Sequence, residues 1–352
     1  MPIKTQQLRV LIVRLGAMGD ILHALPAVTA LRAAHPEWFL GWAVEPQWRG
    51  LLAAHGATAR GPEMPVVDQI HVVPAKQWGR NPLHVSTVED IRRLRREFRA
   101  ARYDVCVDLQ GAVRSAVVGK WAHPQRLIGE AIPREWAAQY LFDERVETHG
   151  VHVIEQAIEV ANEVAGESLP VMQPWLPLSE SAERRAAEFH GPLVILNPGA
   201  GWGAKRWPAE RYGAVARVLA GKGFQVVINV GPGEEQLAQE VSGASGGVSL
   251  PVSPHLDELI ALTRRASLVI AGDTGPLHLA SALGIPVVGI YGPTDPARNG
   301  PFGGKFRVLR HPESKRDHSR RTEPEAGLLT ISAEDVLAAA IDLLEENASN
   351  GR

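Results

Sequence analysis

The chain has 352 residues, a net charge of −2 and a single cysteine. Near-neutral charge argues against a general nucleic-acid binder, and one cysteine, Cys106, excludes an internal disulfide and suits a reducing cytoplasm. The length sets two domains of similar size as the expectation. The polar opening Met1–Gln7 does not read as a secretory leader, and no stretch is long or apolar enough to span a bilayer, so any membrane role is expected to be peripheral.

Leu8–Arg14 reads as a buried strand running into Leu15-Gly16-Ala17-Met18-Gly19-Asp20, with a helix from Ile21 to about Ala34. The turn is not Gly-x-Gly-x-x-Gly, so a dinucleotide site is not indicated. Asp20 sits where the turn enters the helix, either as a ligand-facing carboxylate or as a helix cap. Leu40–Val44 is a second strand and Val66–Pro74 holds a third. Lys76–Pro82 reads as a polar loop, and Ser86-x-x-Glu89 as a capping box opening a helix. That helix buries Ile91, Leu94 and Phe98 and carries Arg92, Arg93, Arg95, Arg96, Arg99 and Arg102. Its basic side is either a solvated face or a surface for anionic lipid or an anionic acceptor.

Tyr103–Leu109 is a strand ending in Gln110–Ser115. Arg126–Gly129 reads as a short edge strand, Glu130–Phe142 as helical, and Val151–Val164 as a helix. Prolines 170, 174 and 177 mark a linker, giving domains 1–168 and 169–352. Ser179–Phe189 is a short charged helix. Leu193–Asn197 is a strand followed by a glycine-rich loop with Lys205-Arg206-Trp207-Pro208. Arg211–Ala220 is helical, Gln225–Val230 is a strand ending in Gly231-Pro232-Gly233-Glu234-Glu235, and Leu256–Arg265 is helical.

Strand Ser267–Ala271 then turns through Gly272-Asp273-Thr274-Gly275-Pro276-Leu277-His278 into a helix, and Val287–Tyr291 follows as a strand. The start of that helix suits a diphosphate, although Asp273 and Thr274 would also serve as simple caps. Residues 300–321 read as irregular and basic. Glu334–Glu346 is a terminal helix able to pack back on the first domain. Two β-α-β halves imply two doubly wound, Rossmann-like sheets facing across a cleft.

The second half places Lys205, Glu234, Asp273–His278 and Thr294 on four strand-end loops. Amides plus a lysine suit a diphosphate, and a glutamate suits ribose hydroxyls, so a nucleotide-diphosphate donor is indicated. Lys205 reads equally as a surface lysine. No P-loop, paired zinc ligands or Asp-x-Asp is present in the sequence. Asp20 as general base and Lys205 with the Thr274–Gly275 amides as leaving-group stabilisers make a coherent transferase layout.

Taken as a set, Met18–Pro26, Asp108–Gly111, Lys205–Pro208 and Asp273–His278 resemble the bacterial lipopolysaccharide heptosyltransferases of glycosyltransferase family nine. The Asp20–Pro26 form is nearer the type I enzymes, whereas Lys205–Pro208 is nearer type II. The resemblance runs from about Leu8 to Pro296. It implies a GT-B fold and an inverting transfer that needs no metal or other cofactor. The implied donor is ADP-L-glycero-D-manno-heptose and the implied acceptor a Kdo residue on lipid A. The arginines of 92–102, with no spanning segment, add the expectation of peripheral contact with the cytoplasmic face of the anionic inner membrane, and a monomer is expected.

The resemblance also assigns roles. Asp20 is the base. Lys205, Glu234 (or Glu235), Asp273, Thr274, Gly275 and His278 hold the donor, with Thr294 beside them. Arg80, Arg114 and Arg134 meet the anionic acceptor. Alternatives are a type II or later-core transferase, a sugar-nucleotide epimerase on the same scaffold, and a binding module without turnover.

Overall fold

The computed structural model describes residues 7–317 and 322–350 and divides the chain into two compact units, 1–178 and 179–352. The division falls about ten residues beyond the expected boundary at 168 because the proline-rich segment stays with the first unit: Leu178 donates its N–H to Pro62 and Trp175 to the Thr29 hydroxyl.

The first unit holds a six-stranded parallel sheet of β1 (Arg9–Val13), β2 (Phe39–Val44), β3 (Gln69–Val72), β4 (Val105–Asp108), β5 (Arg126–Glu130) and β6 (Glu144–Val146), in the order β3-β2-β1-β4-β5-β6. Its helices are α1 (Met18–Ala34), α2 (Ala75–Arg80), α3 (Val85–Ala101), α4 (Val113–Lys120) and α5 (Val153–Ala165). Alternation along the strands sorts the layers. Leu11, Val13, Cys106 and Leu127 point to the face covered by α3, α4 and a 3-10 turn, Trp136–Leu141, through Leu94, Phe98, Ala116 and Ala138. Helices α1 and α5 pack on each other, and α5 also lies against β4–β6.

The second unit repeats the topology with β7 (Leu193–Asn197), β8 (Gln225–Asn229), β9 (Ser249–Val252), β10 (Ala266–Gly272), β11 (Val287–Tyr291) and β12 (Phe306–Arg310), ordered β12-β11-β10-β7-β8-β9 and parallel throughout. Its helices are α6 (Glu180–Ala186), α7 (Ala209–Gly221), α8 (Glu235–Ala244), α9 (Leu256–Arg265), α10 (Gly275–Ala282), α11 (Pro296–Asn299) and α12 (Ala333–Asn350). In each sheet the order of strand addition reverses once, between β1 and β4 and between β7 and β10. Such reversals open a crevice at the carboxyl ends of the strands.

Several sequence expectations change. Residues 76–80 form α2 rather than a loop, because Trp78 is drawn inward against Trp121 at 6.1 Å. The α3 cap is His84, whose Nδ1 accepts from Ser86 N–H, so Ser86 lies inside the helix. Strand Arg126–Glu130 is interior, since β6 pairs beyond it. Of 130–142, only 136–141 is helical.

Residues 300–317 contain β12, which pairs with β11. The remainder of the basic stretch, 318–321, lies outside the described residues, as do residues 1–6 of the polar opening. The C-terminal helix packs within its own unit. Val336, Ala340 and Leu343 are fully buried in the second core, and Arg307 on β12 binds Asp342 at 2.6 Å and Glu346 at 3.2 Å.

One close approach ties the first sheet to α3. Buried His71 on β3 meets the Tyr103 hydroxyl at 2.7 Å and Glu97 of α3 at 3.2 Å. The Tyr103 hydroxyl occupies the space beside Gly41, where a Cβ would lie 1.8 Å from it. Gly41→Ala is therefore expected to lower unfolding stability by about 2–3 kcal/mol through overpacking, read as a fall in the urea midpoint at unchanged slope.

Candidate active site

In the second unit, the switch-point strands end in a carboxamide chain. Asn229 at the end of β8 donates to the Asn197 Oδ1 at 2.6 Å, and Asn197 at the end of β7 donates to the Thr274 hydroxyl at 3.2 Å. Both asparagines are buried, so these bonds fix the three strand ends against one another. Beyond β10 stands Asp273. Its Oδ2 lies 2.5 Å from Lys205 Nζ and its Oδ1 3.1 Å from His278 Nε2, with side-chain exposures of only 9%, 16% and 7% for Asp273, Lys205 and His278. Burial alone would raise the Asp273 pKa. The His278 hydrogen bond and the charges of His278 and Lys205 outweigh it and hold the carboxyl well below the usual range.

The Lys205-Arg206-Trp207-Pro208 segment divides its labour. Lys205 reaches the cluster and lies 5.1 Å from the Trp202 ring. Trp207 is buried, stacks edge-on against Tyr212 and donates to the Ile331 carbonyl at 2.9 Å, anchoring the loop. Pro208 precedes α7, and Arg206 is exposed.

Helix α10 offers fewer amides than its sequence suggested. Pro276 has no N–H, and that of Leu277 is taken by the Thr274 carbonyl at 3.1 Å, which leaves Gly275 as the donor at the helix start. The Glu234 carboxylate accepts from Gly231 N–H at 3.0 Å and lies over Gly199, where a Cβ would come within 2.0 Å of it. Glu235 is exposed at the start of α8, so Glu234 is the glutamate brought to the strand ends. Thr294, after β11, is buried, and its hydroxyl has no hydrogen-bond partner among the described residues.

In the first unit, Asp20 lies in the first turn of α1. Its Oδ2 accepts from Ala17 N–H at 2.9 Å and its Oδ1 lies 3.0 Å from Arg14, with the side chain 30% exposed. It thus caps the helix and still presents an oxygen edge to solvent. Arg14 also donates to the Leu109 carbonyl. Gln110 Oε1 accepts from Leu15 N–H at 2.8 Å. The β1 and β4 turns are thereby tied together.

Asp108 anchors the β4 turn by accepting from the N–H groups of Gln110 and Gly111 and from the Ser115 hydroxyl. Complete burial pushes its pKa up to about 6 despite those donors. Arg14 and Ser115 were not singled out from sequence. The Asp-to-Ser spacing, seven residues across a strand-to-helix turn, was the available signal.

Arg114 and Arg134 are exposed and adjoin the same strand ends. Glu135 N–H donates to the Gly111 carbonyl at 2.8 Å, and Val113 N–H to the Glu135 carboxylate at 2.9 Å. Arg80 is exposed at the end of α2, the helix that follows β3.

The profile described as glycosyltransferase family 9 (heptosyltransferase) matches residues 91–328. The chain belongs to glycosyltransferase family 9. Lipopolysaccharide heptosyltransferase 1 of Escherichia coli (strain K12) is 27% identical over 312 residues, spanning 87% of this chain and 94% of that protein. Lipopolysaccharide heptosyltransferase 2 of Salmonella typhimurium (strain LT2) is 25% identical over 369 residues, spanning 96% and 99%. The solved structure of E. coli heptosyltransferase WaaC with ADP-2-deoxy-2-fluoro heptose superposes with a TM-score of 0.75 at 25% identity, covering 97% of this chain and 100% of that one. This family 9 member is a glycosyltransferase with the α/β, two-domain GT-B type of fold. Membership decides for a transferase over an epimerase.

The raised Asp108 pKa has a sign. In the folded chain the group keeps its proton up to about pH 6, whereas in the unfolded chain it loses it near 4. Asp108 therefore contributes stability that is fully present below the unfolded value and is lost as pH rises through about 6. The stability of wild type relative to Asp108→Asn, from urea unfolding, is expected to be more favourable at pH 4 than at pH 8.

Proposed function

We propose that this enzyme transfers L-glycero-D-manno-heptose from ADP-heptose to a Kdo residue of the lipopolysaccharide inner core. We read it as a type I enzyme that inverts the anomeric centre without a metal ion. The observation that carries the reading is the carboxylate of Asp20, pinned on one oxygen by a backbone N–H and on the other by Arg14, yet open at its edge. That is the arrangement a general base needs: oriented by its partners and reachable. The cluster of Lys205, Asp273 and His278 supports the donor half.

In the proposed step, Asp20 takes the proton of a Kdo hydroxyl as its oxygen bonds to the anomeric carbon. The bond from that carbon to the diphosphate breaks, and ADP leaves with the electron pair. The carbon passes through an oxocarbenium-like state. Lys205 and the Gly275 amide neutralise the leaving diphosphate. Asp273 would hold Lys205 and His278 in place while Lys205 shares its charge with the phosphates. Glu234 is assigned to the ribose hydroxyls, the unpartnered Thr294 hydroxyl and Thr274 to the donor, and Arg80, Arg114 and Arg134 to the anionic acceptor.

ADP release from ADP-heptose, in EDTA, tests this with two acceptors: Kdo-lipid A and the same core already carrying its first heptose. Release with the first acceptor alone is expected. Release only with the second would make the enzyme type II, and loss of release in EDTA would overturn the metal-free step. Asp20→Asn should lower kcat about 10²–10⁴-fold with donor affinity retained. Lys205→Ala should lower kcat/KM for donor about ten- to hundredfold by removing a charged hydrogen bond. Unchanged donor titrations would take Lys205 out of the site.

We also propose a monomer that associates peripherally with the cytoplasmic face of the inner membrane. Arg92, Arg95, Arg96 and Arg99 of α3 line a shallow depression of ≈ 260 Å³, and none is in an ion pair among the described residues. Low-salt retention on anionic vesicles, lost at high salt, is expected. Absence of retention would overturn the membrane reading.

A further inference from the structure

The first unit carries an exposed apolar group that no step above uses. Ile132 is 90% exposed, Trp136 69% and Tyr140 70%. Trp136 and Tyr140 lie on the 3-10 turn and pack edge-to-face at 5.6 Å, so the two rings form one ledge. Single exposed apolar residues are ordinary, but a paired Trp and Tyr with an exposed isoleucine four residues before the Trp in the chain is not the usual solvent face. The turn is held rigidly from beneath: Ala138 is buried in the core, and Glu135 is tied to Gly111 and Val113.

Among residues 131–145, two arginines, Arg134 and Arg145, and one carboxylate, Glu135, stand outside the ion pairs of the described residues. Asp143 pairs with Lys120 and Glu144 with Arg126, while the exposed Glu135 carboxylate accepts from Val113 N–H and keeps its charge. Arg114 and Arg134 are in no ion pair among the described residues, and exposed Arg145 makes only a long contact to Gln139. Aromatic rings with arginines beside them match the interfacial layer of an anionic bilayer, where a ring's apolar body and polar edge are both satisfied. The turn also packs on the same face of the first sheet as α3, so the arginine face of α3 and the aromatic ledge belong to one layer of the unit.

We infer that Ile132, Trp136 and Tyr140 form an interfacial anchor that dips into the headgroup region of an anionic membrane. The α3 arginines would supply the longer-range attraction. The inference rests on the membrane reading above and adds to it the element that inserts. It places the β4 strand-end turn, and through Gln110 and Arg14 the Asp20 carboxylate, on the unit that the ledge fastens to the lipid surface.

The test uses the full chain. Cys106 is fully buried, so an Ile132→Cys variant offers one accessible thiol for an environment-sensitive fluorophore. With vesicles of phosphatidylcholine and phosphatidylglycerol at 3:1, the label's emission should shift to the blue. The double variant Trp136→Ala/Tyr140→Ala should bind the same vesicles about tenfold more weakly. Its turnover of a deacylated, water-soluble Kdo acceptor should stay within about twofold of wild type, which also verifies that it folds.

Vesicle retention without a blue shift overturns the anchor and leaves the α3 contact standing. No retention of wild type overturns the anchor together with the membrane reading. Failure of wild type to use the soluble acceptor bears on the transfer reaction alone. A wild-type dimer in sedimentation that the double variant converts to monomer would overturn the anchor in favour of self-association.

Discussion

A carboxylate with 9% of its side chain exposed is tolerable only when paired or well supplied with hydrogen-bond donors, and Asp273 is paired twice, with Lys205 and with His278. Much of the second unit's strand-end architecture follows from that requirement. Lys205 must be delivered across from the β7 loop, so the loop is pinned by Trp207 in the core and by the Ile331 carbonyl. His278 must turn back toward the residue five before it, which it does from the first turn of α10. The Asn229–Asn197–Thr274 chain holds the strand ends in register beneath them. The result is a site whose charges are preorganised, which is the form of stabilisation most valuable to a departing diphosphate.

The first unit meets the same physical demand differently. One buried carboxylate there, Asp108, is in no ion pair among the described residues and instead accepts three donors. Its role is to shape a turn. That turn passes its order to Asp20 through Gln110 and the Leu109 carbonyl, with Arg14 as the intermediary. A partly exposed Asp20 could otherwise rotate freely. Fastening both of its oxygens leaves one reachable edge and removes rotamer entropy before any acceptor arrives.

Much of the site was legible in the chain itself. Strand, polar turn and helix follow from short apolar runs interrupted by Gly and Asp, and the turns at Asp20, Lys205 and Asp273 stood out for that reason. Partners distant in sequence were not legible. Arg14 lies 95 residues from Leu109 and Lys205 lies 68 from Asp273. Segments with weak periodicity were misread: 76–80 became helical because Trp78 found Trp121, and the strand at 306–310 formed because β11 offered it an edge. The terminal helix was expected to reach toward the first domain. Its own apolar stripe, Val336, Ala340 and Leu343, is satisfied within the second unit.

By itself, the sequence determined two α/β halves, a parallel sheet in each and the strand-end turns that carry chemistry. Local patterns of period 2 and 3.6 encode those features. Only the tertiary structure decided which glutamate meets the strand ends, that Pro276 leaves Gly275 as the donor at the start of α10, and that Asp20 is held at both oxygens. It alone exposed the Ile132, Trp136 and Tyr140 ledge. Each of these depends on which groups burial brings together and which it leaves in water, and that is set by contacts between residues that no local pattern links.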